Sequence, residues 1–184
     1  MIGSMQAPRT PPMVCFVGPS GVGKTTLVAQ VIQHLSDRGL RVGALKHASH
    51  SFQMDRRGKD THRFRVSGAR AIAIASPTER ALITTTERRT TLLELAATLP
   101  DNLDFIVAEG WKSEGAPKVE VHRGDAPLLS YGGELEGLIA IATDRPGAHE
   151  VAIPQFSLED VAQLCEYILA TVVVQAVESP QCAS

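Results

Sequence analysis

Short apolar runs alternate along this chain with segments of helical period. Met13-Val14-Cys15-Phe16-Val17 is continuously apolar and stops at Gly18, as a strand buried on both faces does. Leu27, Val28, Val31, Ile32 and Leu35 then recur at the spacing of one helical face. This predicts a helix from about Lys24 to Arg38, with Gly39 as its stop. Arg41 to Lys46 reads as a second strand, joined to the first by a right-handed parallel connection. The polar stretch from His47 to Asp60 reads as a loop at the carboxyl end of that strand. A short helix is expected after it, with Asp60 as N-cap, Phe64 as its first core contact and Gly68 as its stop. Ala71 to Ala75 and Arg80 to Thr84 flank the turn-forming Ser76-Pro77-Thr78-Glu79 and read as an antiparallel hairpin. Leu92, Leu93, Leu95 and Ala96 suggest a short helix ending before Pro100. Asp104 to Glu109 and Leu138 to Ala142 are further buried strands, while Lys118 to Arg123 alternates with the period of a strand. Ser157-Leu158-Glu159-Asp160 resembles a capping box opening a last helix that carries Val161, Leu164, Cys165, Ile168 and Leu169.

Strands alternating with helices predict an α/β chain: three layers, a mainly parallel sheet flanked by helices, and a β-hairpin extension. The 184 residues suit one domain, expected over residues 13–177, with residues 1–12 a disordered polar segment and 178–184 a frayed tail. A net charge of -2 gives no general attraction to nucleic acid, and 4% aromatic residues leave few platforms for stacking bases. No apolar run approaches the ~20 residues of a membrane span. The N-terminus shows no secretory pattern. Cys15, Cys165 and Cys182 are odd in number and far apart, which fits a reducing cytoplasm better than a disulfide framework or a zinc site.

The chemistry is concentrated where the first strand meets the first helix. Gly18-Pro19-Ser20-Gly21-Val22-Gly23-Lys24-Thr25 reads G-x-x-x-x-G-K-T, the phosphate-cradling loop, between the strand and helix that such a loop requires. Its glycines can take positive φ, so that successive N–H groups form an anion nest at the positive end of a helix. These eight residues, with Thr26 behind them, form the expected nucleotide-binding set. Lys24 is expected on the β- and γ-phosphates and the Thr25 hydroxyl on Mg2+. Pro19 stands where the dimeric "deviant" P-loop ATPases carry an extra lysine.

Other residues have a functional reading beside a plainer one. Glu109 ends an apolar strand after the P-loop, like the acid of a Walker B strand that holds the Mg2+ shell or orients a water; otherwise it merely ends a strand. Trp111 packs under the following loop. Asp144 follows a late strand, where a carboxylate can accept both hydrogens of guanine N1 and N2; without N-K-x-D, it reads equally as a turn residue before Arg145-Pro146-Gly147. His47 and His50 lack a third metal ligand, so hydrogen bonding to phosphate or base fits them better than a metal. Arg56, Arg57, Lys59, Arg63 and Arg65 are a second anion site or a solvated basic face.

Several motifs together resemble one family. G-P-S-G-V-G-K-T-T-L (18–27), L-K-H (45–47), G-K-D-T-H-R (58–63), S-G-A (67–69), A-E-G-W-K (108–112), P-K-V-E-V (117–121) and A-T-D (142–144) resemble the MobB family of molybdopterin-guanine dinucleotide biosynthesis adaptor proteins. The resemblance spans roughly Met13 to Leu169. It implies a P-loop GTP-binding protein with weak, Mg2+-dependent hydrolysis at most, acting beside the guanylyltransferase that joins GMP to molybdopterin, in the cytoplasm and as a homodimer. It further implies that Asp60 and Glu109 complete the Mg2+ environment with Thr25, and that Lys24, Asp60 and Glu109 form the catalytic set. Arg63 would touch phosphate of GTP or molybdopterin, and His47, Thr143 and Asp144 would face the nucleotide. The apolar hairpin from Ala71 to Ile83 is the expected sheet extension between subunits.

Three other readings stay open. A small-molecule kinase would use the same P-loop and move phosphate to an acceptor, and a metal-cofactor maturation GTPase is a second. A purely structural binder would hold nucleotide without turnover. Without an in-cis arginine finger or a catalytic glutamine, slow hydrolysis is expected.

Overall fold

The computed structural model of the chain describes residues 10–49, 52, 55–132 and 135–178. His50, Cys182 and most of the expected terminal segments lie outside the described residues. The rest divides into two compact units, the second running from Ala48 to Thr91 and the first holding the chain on either side of it.

The first unit is built on a six-stranded parallel sheet. Strands β1 (Met13–Val17), β2 (Val42–Lys46), β5 (Phe105–Glu109), β6 (Lys118–His122), β7 (Leu138–Thr143) and β8 (Gln155–Ser157) lie in the order β2-β5-β1-β6-β7-β8. β1 and β2 are parallel as expected but not adjacent: β5 lies between them, with Ala44 opposite Val107 and Val14 opposite Val107 on its other edge. All five residues of β1 and of β5 are buried, which is why these strands read as unbroken apolar runs.

The period of two splits each strand between the sheet faces. Val14, Phe16, Phe105, Val107, Val119 and Val121 pack with helix α1 (Lys24–Asp37) and helix α4 (Val161–Glu178). Cys15, Val17, Ile106 and Ala108 pack with Trp111 and the short helix α3 (Leu92–Ala96) on the other face. The result is helices on both faces of a parallel sheet, the P-loop NTPase-like arrangement. The helix α4 is capped three residues later than the expected box: the Asp160 carboxylate accepts the Gln163 N–H at 3.0 Å, while Ser157 belongs to β8.

The strand β6 departs from its alternating pattern. Lys118, Glu120 and His122 are all buried rather than solvated, because β6 is an inner strand between β1 and β7. Each has its own partners. Lys118 donates to the carbonyls of Glu114, Ala116 and Glu136, and desolvation lowers its pKa below the ordinary lysine value against three weaker attractions. Glu120 accepts the N–H groups of Leu129 and Ser130. His122 donates from Nε2 to the Ala126 carbonyl at 2.6 Å.

In the second unit, helix α2 (Asp60–Val66) precedes the hairpin of β3 (Ala71–Ala75) and β4 (Arg80–Thr84). The strands pair antiparallel with Ala73 opposite Leu82, as expected, and the Ser76 hydroxyl accepts the Glu79 N–H at the turn. Two details differ from expectation. Lys59, not Asp60, is the N-cap, and Asp60 opens the helix, where its charge suits the positive dipole end. Phe64 is 57% exposed and no residue of α2 is buried: seven residues on a unit this small offer no second layer to cover the helix.

Candidate functional site

The site grows from the backbone between β1 and α1. Gly18 sits at φ +152, and a Cβ there would come within 2.4 Å of the Val121 carbonyl oxygen. Only glycine lets the loop leave β1 against the end of β6. At the other end Gly23, at φ 95 and ψ 15, is the N-cap of α1, so the loop closes directly on the positive end of a 14-residue helix. Lys24 folds back over the loop and donates to the Pro19 carbonyl at 2.6 Å. Desolvation lowers its pKa, aided by Lys112 and Lys46 and opposed by the Glu109 carboxylate.

The neighbouring strands bring the acid to the loop. β1 and β5 are in register with Phe16 opposite Glu109, and β2 places Lys46 opposite Glu109 on the far side. The Thr25 hydroxyl lies 3.1 and 3.2 Å from the two Glu109 carboxylate oxygens. The Lys46 ammonium completes the cluster, 3.2 Å from Glu109 Oε2 and 3.3 Å from Thr25 Oγ1. Glu109 is nearly buried, with its side chain 11% exposed, whereas Lys46 reaches out with its side chain 61% exposed.

One hydroxyl and one carboxylate converging at about 3 Å form a hard-oxygen pair. Mg2+ is held in this way, by one or two protein oxygens with phosphate and water filling the octahedron. Thr25 and Glu109 therefore fit the ion, which would leave its other positions to water or to the oxygens of a ligand. Among the described residues no group of three or more His, Cys, Asp or Glu side chains forms an all-protein metal site.

His47 follows Lys46, and its N–H donates to the Glu109 carbonyl at 2.8 Å. Its ring meets Trp111 edge to face at 5.4 Å. Trp111 is buried with its indole N–H unpartnered among the described residues, so it serves as the packed floor of the loop after β5, as expected. Asp60 and Arg63 belong to the second unit, on α2.

Thr143 and Asp144 stand at the carboxyl end of β7. The Asp144 carboxylate accepts the Gly124 N–H at 3.2 and 3.3 Å, and the Thr143 hydroxyl accepts the Arg145 N–H at 3.2 Å. Desolvation pushes the Asp144 pKa up, but the Gly124 and Asp144 N–H groups and the nearby Arg145 and Arg123 outweigh it and hold the carboxyl below its usual value. The sequence singles out Asp144 but not Arg123, whose guanidinium Nη2 lies 3.9 Å from the place a Gly23 Cβ would occupy. No motif spacing links a residue after β6 to the P-loop; the signal was its place one residue beyond a strand adjacent to β1.

This geometry has known counterparts. The family model described as "Molybdopterin guanine dinucleotide synthesis protein B" matches residues 13–144. The chain is 35% identical over 162 residues to the molybdopterin-guanine dinucleotide biosynthesis adapter protein of Escherichia coli, covering 86% of this chain and 91% of that one. It is 32% identical over 160 residues to the protein of the same name from Haemophilus influenzae, covering 85% of this chain and 87% of that one. Among solved structures it is similar to the crystal structure of Bacillus subtilis MobB, with a TM-score of 0.68 and 26% identity over 88% of this chain and 98% of that one. The MobB homologue from Bacillus stearothermophilus gives the same TM-score of 0.68, at 25% identity over 88% of this chain and 98% of that one. With the family model spanning the P-loop, the acid of β5 and the end of β7, the chain belongs to the MobB family.

Proposed function

We propose that this protein is an adaptor in molybdopterin guanine dinucleotide biosynthesis that binds GTP with Mg2+ and assists the guanylyltransferase. The observation that carries the reading is the Thr25–Glu109–Lys46 cluster at the mouth of a P-loop closed on the α1 N-terminus. The loop N–H groups and Lys24 take the β- and γ-phosphates. Thr25 and Glu109 hold Mg2+, which offsets the charge of the phosphate chain when bound. Lys46 stands beside the same carboxylate and takes phosphate charge on the β2 side. Thr143 and Asp144, at the edge that β6 and β7 share, lie toward the base side of the nucleotide.

Binding rather than rapid turnover suits this site. Phosphoryl transfer depends on positioning and charge stabilisation of the transition state. The Glu109 carboxylate is already committed to Thr25 and Lys46, so it is a ligand rather than a free base. The hairpin exposes Ile74 and Leu82, at 56% and 67%, and is the surface we assign to self-association in a homodimer. The protein works in the cytoplasm; no described helix is long and apolar enough to cross a membrane.

The test is a reconstituted guanylyltransferase reaction with molybdopterin, GTP and Mg2+. Wild-type protein is expected to raise the yield of the dinucleotide, and Lys24→Ala to remove the gain while keeping its fold. An equal gain from Lys24→Ala would refute a role for nucleotide bound at the P-loop.

A further inference from the structure

The loop after β6 carries a cation that no motif marks. Val17 of β1 pairs with Glu120 of β6, so the residues beyond His122 leave the sheet beside the P-loop. The contact is close: the Val121 carbonyl already fills the space a Gly18 side chain would need. Arg123 then extends along the loop until its Nη2 is 3.9 Å from the Gly23 Cβ position, at the N-cap of α1. Arg123 is exposed, and among the described residues no hydrogen bond or ion pair holds its guanidinium. A planar fork of donors, near the Asp144 carboxylate but hydrogen-bonded to no side chain or backbone group among the described residues, thus stands beside a nest of N–H groups shaped for an anion.

The loop that presents Arg123 is held by three ties, one of them the ion pair of Asp125 with Arg145. His122, buried at its base, donates to the Ala126 carbonyl. Both Asp144 oxygens accept the N–H of Gly124, the residue next to Arg123. The cluster is also one-sided. Lys46 approaches from β2 across β5, whereas Arg123 comes from β6, the other neighbour of β1.

We propose that Arg123 is a cation supplied in cis to the phosphate chain of the nucleotide, and that Asp144 is the positioning residue for the loop presenting it. This rests on the P-loop being a nucleotide site. Lys46 and Arg123 then bracket the chain from opposite flanks. The carboxylate of Asp144 acts through Gly124 rather than by choosing the base.

The test is calorimetry on the full chain with Mg2+ and GTP, ATP or inorganic tripolyphosphate. Arg123→Ala is expected to weaken all three by about 10- to 100-fold, the usual range for one charge-assisted contact, with an unchanged melting temperature. Arg123→Lys should recover part of the loss. Arg38→Ala, which removes a cation paired with Glu166 at the far end of α1, should leave all three affinities as they are. Asp144→Ala should weaken GTP and ATP by the same factor and add nothing to Arg123→Ala. A loss confined to GTP in either variant, or undiminished binding by Arg123→Ala while Lys24→Ala still abolishes it, would overturn the inference and leave the P-loop site standing. Wild-type protein that binds none of the three would overturn both.

Discussion

β5 and β6 flank the P-loop strand on its two sides, both five residues long and both fully buried. β5 is apolar until its last residue, Glu109, which emerges at the loop. β6 alternates Val119 and Val121 with buried Lys118, Glu120 and His122. The first strand delivers one carboxylate by register alone. The second holds surrounding loops through its polar row: Lys118 ties the segment from Glu114 to Ala116 to Glu136, and Glu120 caps the turn Leu129–Gly132. One flank of the site is thus built by an isolated charge on a hydrophobic strand. The other depends on a network in which each buried polar group is satisfied by backbone.

The contrast can be broken by single substitutions. The largest effect belongs to the loop both strands serve. Lys24→Ala should lower triphosphate affinity about 100-fold or more, since it removes a charge-assisted contact and no core packing; calorimetry beside a thermal melt separates the two. On the β6 flank, Glu120→Ala should destabilise the protein by about 2 kcal/mol, because two half-buried N–H groups lose a charged acceptor. Urea unfolding measures this, and a loss below about 1 kcal/mol would mean that the network is dispensable. On the β5 flank, Glu109→Gln keeps the volume and gives up the charge. It should reduce GTP affinity about tenfold with Mg2+ and leave it unchanged with EDTA; equal losses in both would remove Glu109 from the metal. The smallest effect is an absence of reaction. Burial pushes the thiols of Cys15 and Cys165 up to about 11 each, so iodoacetamide at pH 7.5 should leave both intact in the folded protein. Peptide mapping that finds either one alkylated would contradict the packing of these two cores.

The same contrast explains what the chain revealed before its fold was known. The P-loop and Glu109 were legible because their requirements are local: glycines at fixed offsets, an apolar run, and an acid where the run stops. The hairpin was legible from its turn chemistry. The polar row of β6 was not, because alternation reads as a half-solvated strand and only the placing of β7 beyond β6 buries it. β8 escaped because three residues carry no period. Phe64 was misjudged as core since helical spacing says which face is apolar, not whether a layer exists to cover it. Arg123 stayed silent because its nearness to the Gly23 end of the loop is made by strand order, which no spacing along the chain encodes.

The central claim is that the P-loop between β1 and α1 holds a guanine nucleotide with Mg2+. Titration calorimetry of the wild-type protein with GTP, ATP and GDP, each with and without Mg2+, tests it most directly. Tighter binding of GTP than ATP, strengthened by Mg2+, is the predicted result. No binding of any of the three, or binding equal in wild type and Lys24→Ala, would contradict it.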